Sequence, residues 1–161
     1  MSEGKMPAAI AAKDVPPKIS KSNYPAVFAA RVTKRQKHAL GNFFGLTVYG
    51  VNLTRIMPGG MSALRHTHTK QDEFVYILEG EATLVTNAGE TILRPGMCAG
   101  FPAGNGDAHH LVNRTATDVV YLEVGDRTKG DEVDYPDDDI KSIKSPDGAG
   151  RSFTHKDGTP Y

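Results

Sequence analysis

Cysteine is nearly missing from this chain: Cys98 is the only one in 161 residues. A lone thiol excludes an intramolecular disulfide framework and suits a reducing compartment. Because it sits in the apolar run GMCAGFP, it is expected to be a buried structural thiol. Long hydrophobic runs are missing as well. No stretch approaches the roughly 20 apolar residues of a membrane span, and AAIAA near the start is too short for a signal-peptide core. Nor is there an excess of one charge. Nineteen Lys and Arg balance nineteen Asp and Glu, so neither a nucleic acid nor an anionic membrane has global electrostatic support as a partner. The expected setting is cytoplasmic, without nucleic-acid or membrane partners. Internal repeats of 20–50 residues are lacking too, which argues against stacked copies of one unit.

What is present suits one globular domain with a real core: 39% of residues are apolar and 24% charged. The charge is unevenly spread. Residues 1–40 hold eight Lys and Arg, from Lys5 to Lys37, against Glu3 and Asp14, while residues 126–161 hold nine Asp and Glu against six Lys and Arg. These ends read as solvated arms of opposite sign. Pro7, Pro16, Pro17 and Pro25 break any period in the first 25 residues. AVFAARVTKRQKHA (26–39) fits either a short helix or a strand.

From Leu46 to Val124 the pattern becomes short apolar runs punctuated by turns. LTVYGVNLTRIM ends at Pro58-Gly59-Gly60, EFVYIL ends at Glu79-Gly80, and ATLVT and ETIL flank the hairpin signal Asn87-Ala88-Gly89. Closely spaced strands without a strong helical segment indicate an all-β sandwich or barrel. The division expected is an arm over 1–40, a barrel over 41–125, and an acidic tail over 126–161 packed along the exterior without a core of its own. Phe43, Phe44, Met57, Met61 and Met97 are expected as apolar filler, and GAG at 148–150 lacks the strand-to-helix setting of a phosphate loop.

The chemistry concentrates in RHTHTKQDEF. Side chains alternate along a strand, so His66 and His68 share a face. Glu73 opens the next strand and adds a carboxylate, and His109 or His110 supplies another imidazole from a later one. Three imidazoles and one carboxylate leave coordination positions open and suit one divalent Mn, Fe, Ni, Cu or Zn per chain. Asp72 and Gln71 read as turn residues. Arg55 and Arg65 border the motif as solvated arginines or holders of an anionic substrate.

Spacing adds a family. Gly60-x5-His66-x-His68-x4-Glu73-x6-Gly80 resembles the first motif of the cupin superfamily, and Gly96-x5-Pro102-x-Gly104 with His109-x3-Asn113 resembles the second. Four residues, not the usual two, separate Gly104 from His109, and Asp107 occupies the usual histidine's place as a turn residue or a partner behind the ligands. The doubled His109-His110 leaves the third imidazole ambiguous; spacing to Asn113 points to His109. The resemblance implies a cupin-type antiparallel β-barrel (a double-stranded β-helix, or jelly roll) around one divalent ion, in a small single-domain protein that pairs as a homodimer. It implies a small-molecule ligand: a sugar, carboxylate or enol-type compound chelated to the metal. Isomerisation or epimerisation and dioxygenation are equally open, with Tyr121, Glu123 and His110 as candidate bases. The alternative is a non-catalytic module that senses a metabolite through the same ion.

Overall fold

Pairing of short strands builds the framework of the described residues. In the computed structural model, residues 6–18, 22–144 and 150–161 are described. Positions 1–5 and 19–21 of the expected amino-terminal arm, and Gly148 and Ala149 of the GAG stretch, lie outside them. Among the described residues the strands form three antiparallel sheets. The largest has the order β1 (Arg35–His38), β2 (Tyr49–Ile56), β9 (Val119–Asp126), β4 (Glu73–Glu79), β7 (Cys98–Phe101). The second runs β6 (Gly89–Leu93), β5 (Ala82–Thr86), β8 (His110–Val112). The third runs β12 (Arg151–Thr154), β11 (Lys141–Lys144), β10 (Glu132–Asp134), β3 (Thr67–His68).

The core lies between the first two sheets. Ile56, Val75, Ile77, Val119 and Tyr121 from one meet Ala82, Leu84, Leu93 and Leu111 from the other. In β4 the alternation sends Glu73, Val75 and Ile77 inward and Phe74, Tyr76 and Leu78 outward. The two sheets do not close into a single ladder, as the barrel expectation required. The reason is the turn-rich stretch after β2, which crosses β8 only through isolated bridges, Met61 to Val112 and His66 to His109. Gly80 ends β4 at a register shift against β9. Its φ is +76°, and a Cβ there would stand 2.2 Å from the Asp118 carbonyl oxygen, so no other residue fits.

Several sequence expectations change. The stretch 26–39 is both alternatives in turn: a helical turn α1 (Ala26–Ala29), a 3₁₀ turn over Ala30–Val32, then β1. The region after Gly125 does more than lie on the exterior. Val133, Tyr135 and Ile140 pack with Phe28 of α1 and Leu64 into a second buried cluster, and β10 pairs with the histidine strand β3. These apolar residues are thinly spaced among acids, so they leave no periodic signal. Cys98 is exposed, not buried. On β7 it is Ala99 and Phe101 that turn to the core, leaving Cys98 and Gly100 outside. Met57, Met97 and Phe44 are exposed as well, and Phe44 stacks edge-on against Phe43 at 5.1 Å. No helix among the described residues is long and apolar enough to cross a membrane.

Candidate metal centre

Backbone pairing brings the histidines together. The His66 amide donates to the His109 carbonyl (3.1 Å) and the His109 amide returns the bond to His66 (2.8 Å). Residues paired in this way across antiparallel backbone carry their side chains on one face. His68 follows two positions on, where β3 pairs with Val133. Glu73 enters from β4, on the inward side. The Nε2 atoms of His66, His68 and His109 then lie 3.3, 3.4 and 3.1 Å from the same Glu73 Oε2. Donor atoms of His66, His68 and Glu73 all fall within 4.8 Å of one another, and His109 joins them through that oxygen.

Glu73 Oε2 is buried and has no hydrogen-bond partner among the described residues. Three nitrogens stand at contact distance, yet none is aligned to donate to it. A buried carboxylate oxygen left this way is costly, and a cation offsets the cost. Donor atoms at neighbouring corners around an ion at about 2.1 Å stand roughly 3 Å apart, close to the spacings observed. The electrostatics agree. Burial works to raise the Glu73 carboxyl, but the imidazoles of His109, His66 and His68 overcome it and hold the group well below the usual carboxylate range. Burial also pushes the His109 imidazole down, and this outweighs the pull of Glu73. An ionised carboxylate beside a neutral imidazole is the protonation pattern a cation requires.

The rear faces of the rings fix which nitrogen is free. His66 Nδ1 lies 2.7 Å from the Leu64 carbonyl oxygen; that oxygen can only accept, so Nδ1 holds the proton and a neutral ring turns its Nε2 lone pair into the site. His68 Nδ1 is 2.7 Å from Asp131 Oδ2, with the same consequence. Asp131 is fully buried and also accepts from the Lys70 and Gln71 amides and from Arg151 Nη2. Burial works to raise its carboxyl, and the His68 and Arg151 hydrogen bonds take it far below the usual range. The His109 ring is held differently, stacked flat on Phe101 with centroids 3.5 Å apart.

The site opens into a cavity of about 730 Å³. Tyr121 and Glu123, on one face of β9, line it. The Tyr121 hydroxyl donates to Glu123 Oε2 (3.1 Å), Asn52 Nδ2 donates to Oε1 (2.9 Å), and Lys37 pairs with the same Oε1. Burial, reinforced by the Glu123 charge, pushes the Tyr121 phenol well above its ordinary value. His109 faces this cavity. His110 does not: its Nδ1 lies 3.1 Å from the Ala63 carbonyl, on the other side of the strand. Asp107 accepts from the Asn87 amide and stays in its loop, away from the histidines. Arg65 grips Asp137 through two 2.7 Å bonds and Arg55 pairs with half-buried Asp118, so both serve the scaffold.

Asp131, Arg151, Lys37 and Arg35 carry no such signal in the sequence. Asp131 is one of nine acids in a polar stretch, with nothing local to mark it. A strand assignment for RQKH aligns Arg35 and Lys37 on one face, but that stretch fits a helix equally well.

Comparison with known proteins places this geometry. The family described as Cupin domain matches residues 52–125. A crystal structure of a sugar phosphate isomerase of the cupin superfamily from Silicibacter pomeroyi is 40% identical, covers 95% of this chain and 96% of its own, and superposes with a TM-score of 0.88. A proposed sugar phosphate isomerase from Acidithiobacillus ferrooxidans is 29% identical over 79% of this chain and 80% of its own, with a TM-score of 0.70. The polyketide cyclase RemF from Streptomyces resistomycificus shares the fold at 20% identity over 75% of this chain and 80% of its own, with a TM-score of 0.61. No curated protein matches the chain.

Proposed function

This chain belongs to the cupin superfamily, and from that membership we propose that it is a metal-dependent isomerase of a small phosphorylated sugar. The observation that carries the metal is Glu73 Oε2, buried without a hydrogen-bond partner among the described residues and 3.1–3.4 Å from three imidazole nitrogens. The Silicibacter relative's activity supports the reaction class. The cavity is of a size that encloses a small metabolite.

His66, His68, Glu73 and His109 would hold the ion. When bound, the ion would supply Lewis acidity for polarising a substrate carbonyl. The chain's own residues carry the protons. Isomerisation removes a proton from the carbon beside the carbonyl and returns it to the neighbouring carbon. Glu123 is the base in this reading. Lys37 and Asn52 anchor its Oε1, which leaves Oε2 and the Tyr121 hydroxyl toward the cavity. Tyr121, with its acidity suppressed, remains a proton donor able to steady the oxygen where charge develops. His110 takes no part. A homodimer belongs to the same proposal; the exposed outward row Phe74, Tyr76 and Leu78 on β4 supports it.

The test is turnover of aldose and ketose phosphates by the metal-loaded protein in D2O. The expected result is interconversion with solvent deuterium entering at the carbon next to the carbonyl. Glu123→Gln should lose about 10²- to 10⁴-fold in rate while keeping its metal. Oxygen consumption in place of isomerisation, or saturable binding with no turnover of any sugar phosphate, would overturn the reading.

A further inference from the structure

The cavity contains a cation that no carboxylate among the described residues neutralises. Arg35 and Lys37 alternate on β1 and pair with Ile56 and Thr54 of β2, both fully buried. Directly paired residues share a face, so both cations point inward, and both line the cavity with Lys18 and Arg151. Two of the four are committed. Lys37 pairs with Glu123, and Arg151 pairs with Asp131 at 2.8 Å and reaches Gln71 Oε1 at 3.4 Å. Arg35 has no carboxylate partner among the described residues; one of its donors meets the Ser62 carbonyl, a neutral acceptor. Lys18 likewise pairs with no carboxylate there and is exposed.

The position of this charge is revealing. Burial raises the phenols of Tyr24 and Tyr121, and in both cases the charge of Arg35 opposes the rise. The guanidinium therefore lies within range of the tyrosine proposed to work beside Glu123. A half-buried guanidinium in a cavity of reduced dielectric is unfavourable without a counter-charge, and a divalent ion faced by the single carboxylate Glu73 increases the imbalance. Among the groups that could supply that charge, a tetrahedral oxyanion suits a guanidinium best, since its edge accepts two parallel N–H bonds.

We propose that Arg35 is the anion-binding residue of this cavity, receiving the phosphate monoester of a substrate whose carbonyl end lies at the His66, His68, Glu73 and His109 cluster. Lys18 steers the anion from the cavity mouth. This deepens the isomerase reading and rests on it for the identity of the anion's carrier.

The test uses metal-loaded protein and two non-isomerisable probes, a sugar-alcohol phosphate and the same sugar alcohol without phosphate, with binding measured by calorimetry. In the wild-type protein the phosphorylated probe should bind more tightly. Arg35→Met should remove roughly 10- to 100-fold of that affinity and leave the neutral probe unchanged. Arg35→Lys, which keeps the charge and loses the fork, should fall between. A parallel measurement needs no variant: phenylglyoxal modification of wild-type Arg35, read by mass spectrometry, should be blocked by the phosphorylated probe and not by the neutral one. Equal affinity of a folded, metal-retaining Arg35→Met for the phosphorylated probe would overturn the proposal, as would unprotected Arg35 under saturating phosphorylated probe. Failure of the isomerase reading looks different: phosphate-dependent binding and protection at Arg35 persist while no sugar phosphate is turned over.

Discussion

Asp131→Asn is the most direct probe of how the candidate centre is held. The substitution preserves size and removes one charge from a fully buried position. In the native protein four donors converge on this carboxylate: His68 Nδ1 at 2.7 Å, Arg151 Nη2 at 2.8 Å, and the Lys70 and Gln71 amides at 3.0 and 3.3 Å. An asparagine offers one acceptor oxygen and a donor NH2. If the oxygen stays with the backbone amides, the NH2 faces His68 Nδ1 and Arg151. His68 can then bond only by accepting at Nδ1, which moves its ring proton to Nε2, the nitrogen turned toward Glu73. A metal must displace that proton. Loss of a carboxylate behind a ligating imidazole weakens metal binding about 10- to 100-fold, equivalent to about 1.4 to 2.7 kcal/mol. The partly unpaired Arg151 adds a stability loss of about 1 to 3 kcal/mol. Competition of Zn²⁺ or Co²⁺ against a chelator reads the first effect, and denaturant unfolding of metal-free protein reads the second. Asp118→Asn, at the surface pair with Arg55, is the control and should change neither. A folded Asp131→Asn that binds the ion as tightly as the native chain would refute the reasoning.

Other outcomes follow from the packing and the charges. Gly80→Ala forces a Cβ to 2.2 Å from the Asp118 oxygen at positive φ and should destabilise by at least about 3 kcal/mol in a denaturant titration; a loss under about 1 kcal/mol would contradict so close an approach of the two backbones. Ile140→Ala empties a fully buried site in the second cluster. It should cost about 2 to 5 kcal/mol and accelerate amide hydrogen exchange in β10 and β11 ahead of β5; uniform exchange would argue against a separate cluster. Because burial, then Glu123, raise the Tyr121 phenol, the associated stability is complete below the ordinary tyrosine value near 10 and is lost as pH climbs from there toward the raised one. Native protein should therefore lose stability above about pH 10 more steeply than Tyr121→Phe, and parallel pH–stability curves would remove the argument.

The parts of this molecule legible in its sequence are those written in local spacing. His66 and His68 share a face by strand alternation alone, and Glu73 follows a short turn, so their meeting needs no distant information. The turn glycines Gly60 and Gly80 likewise mark backbone that a side chain would obstruct. What local spacing does not carry is nonlocal pairing. Asp131 acquires meaning only because β10 pairs with β3, and nothing in DEVD announces that pairing. Arg35 faces inward because β1 lies against β2, whereas its own segment is as good a helix as a strand. Cys98 departs from its expected burial for a related reason: an apolar neighbourhood in sequence does not say which of two alternating faces meets the core.

The order in which these pieces leave the ribosome has a consequence. His66, His68, Glu73 and His109 emerge well before Asp131, and Arg151 emerges later still. When residues up to Gly125 stand outside the ribosome, every proposed ligand is present, while Asp131, six positions further on, is still inside the exit tunnel. Under the proposed metal binding, tight capture of the ion would wait for the carboxylate of Asp131 to reach His68.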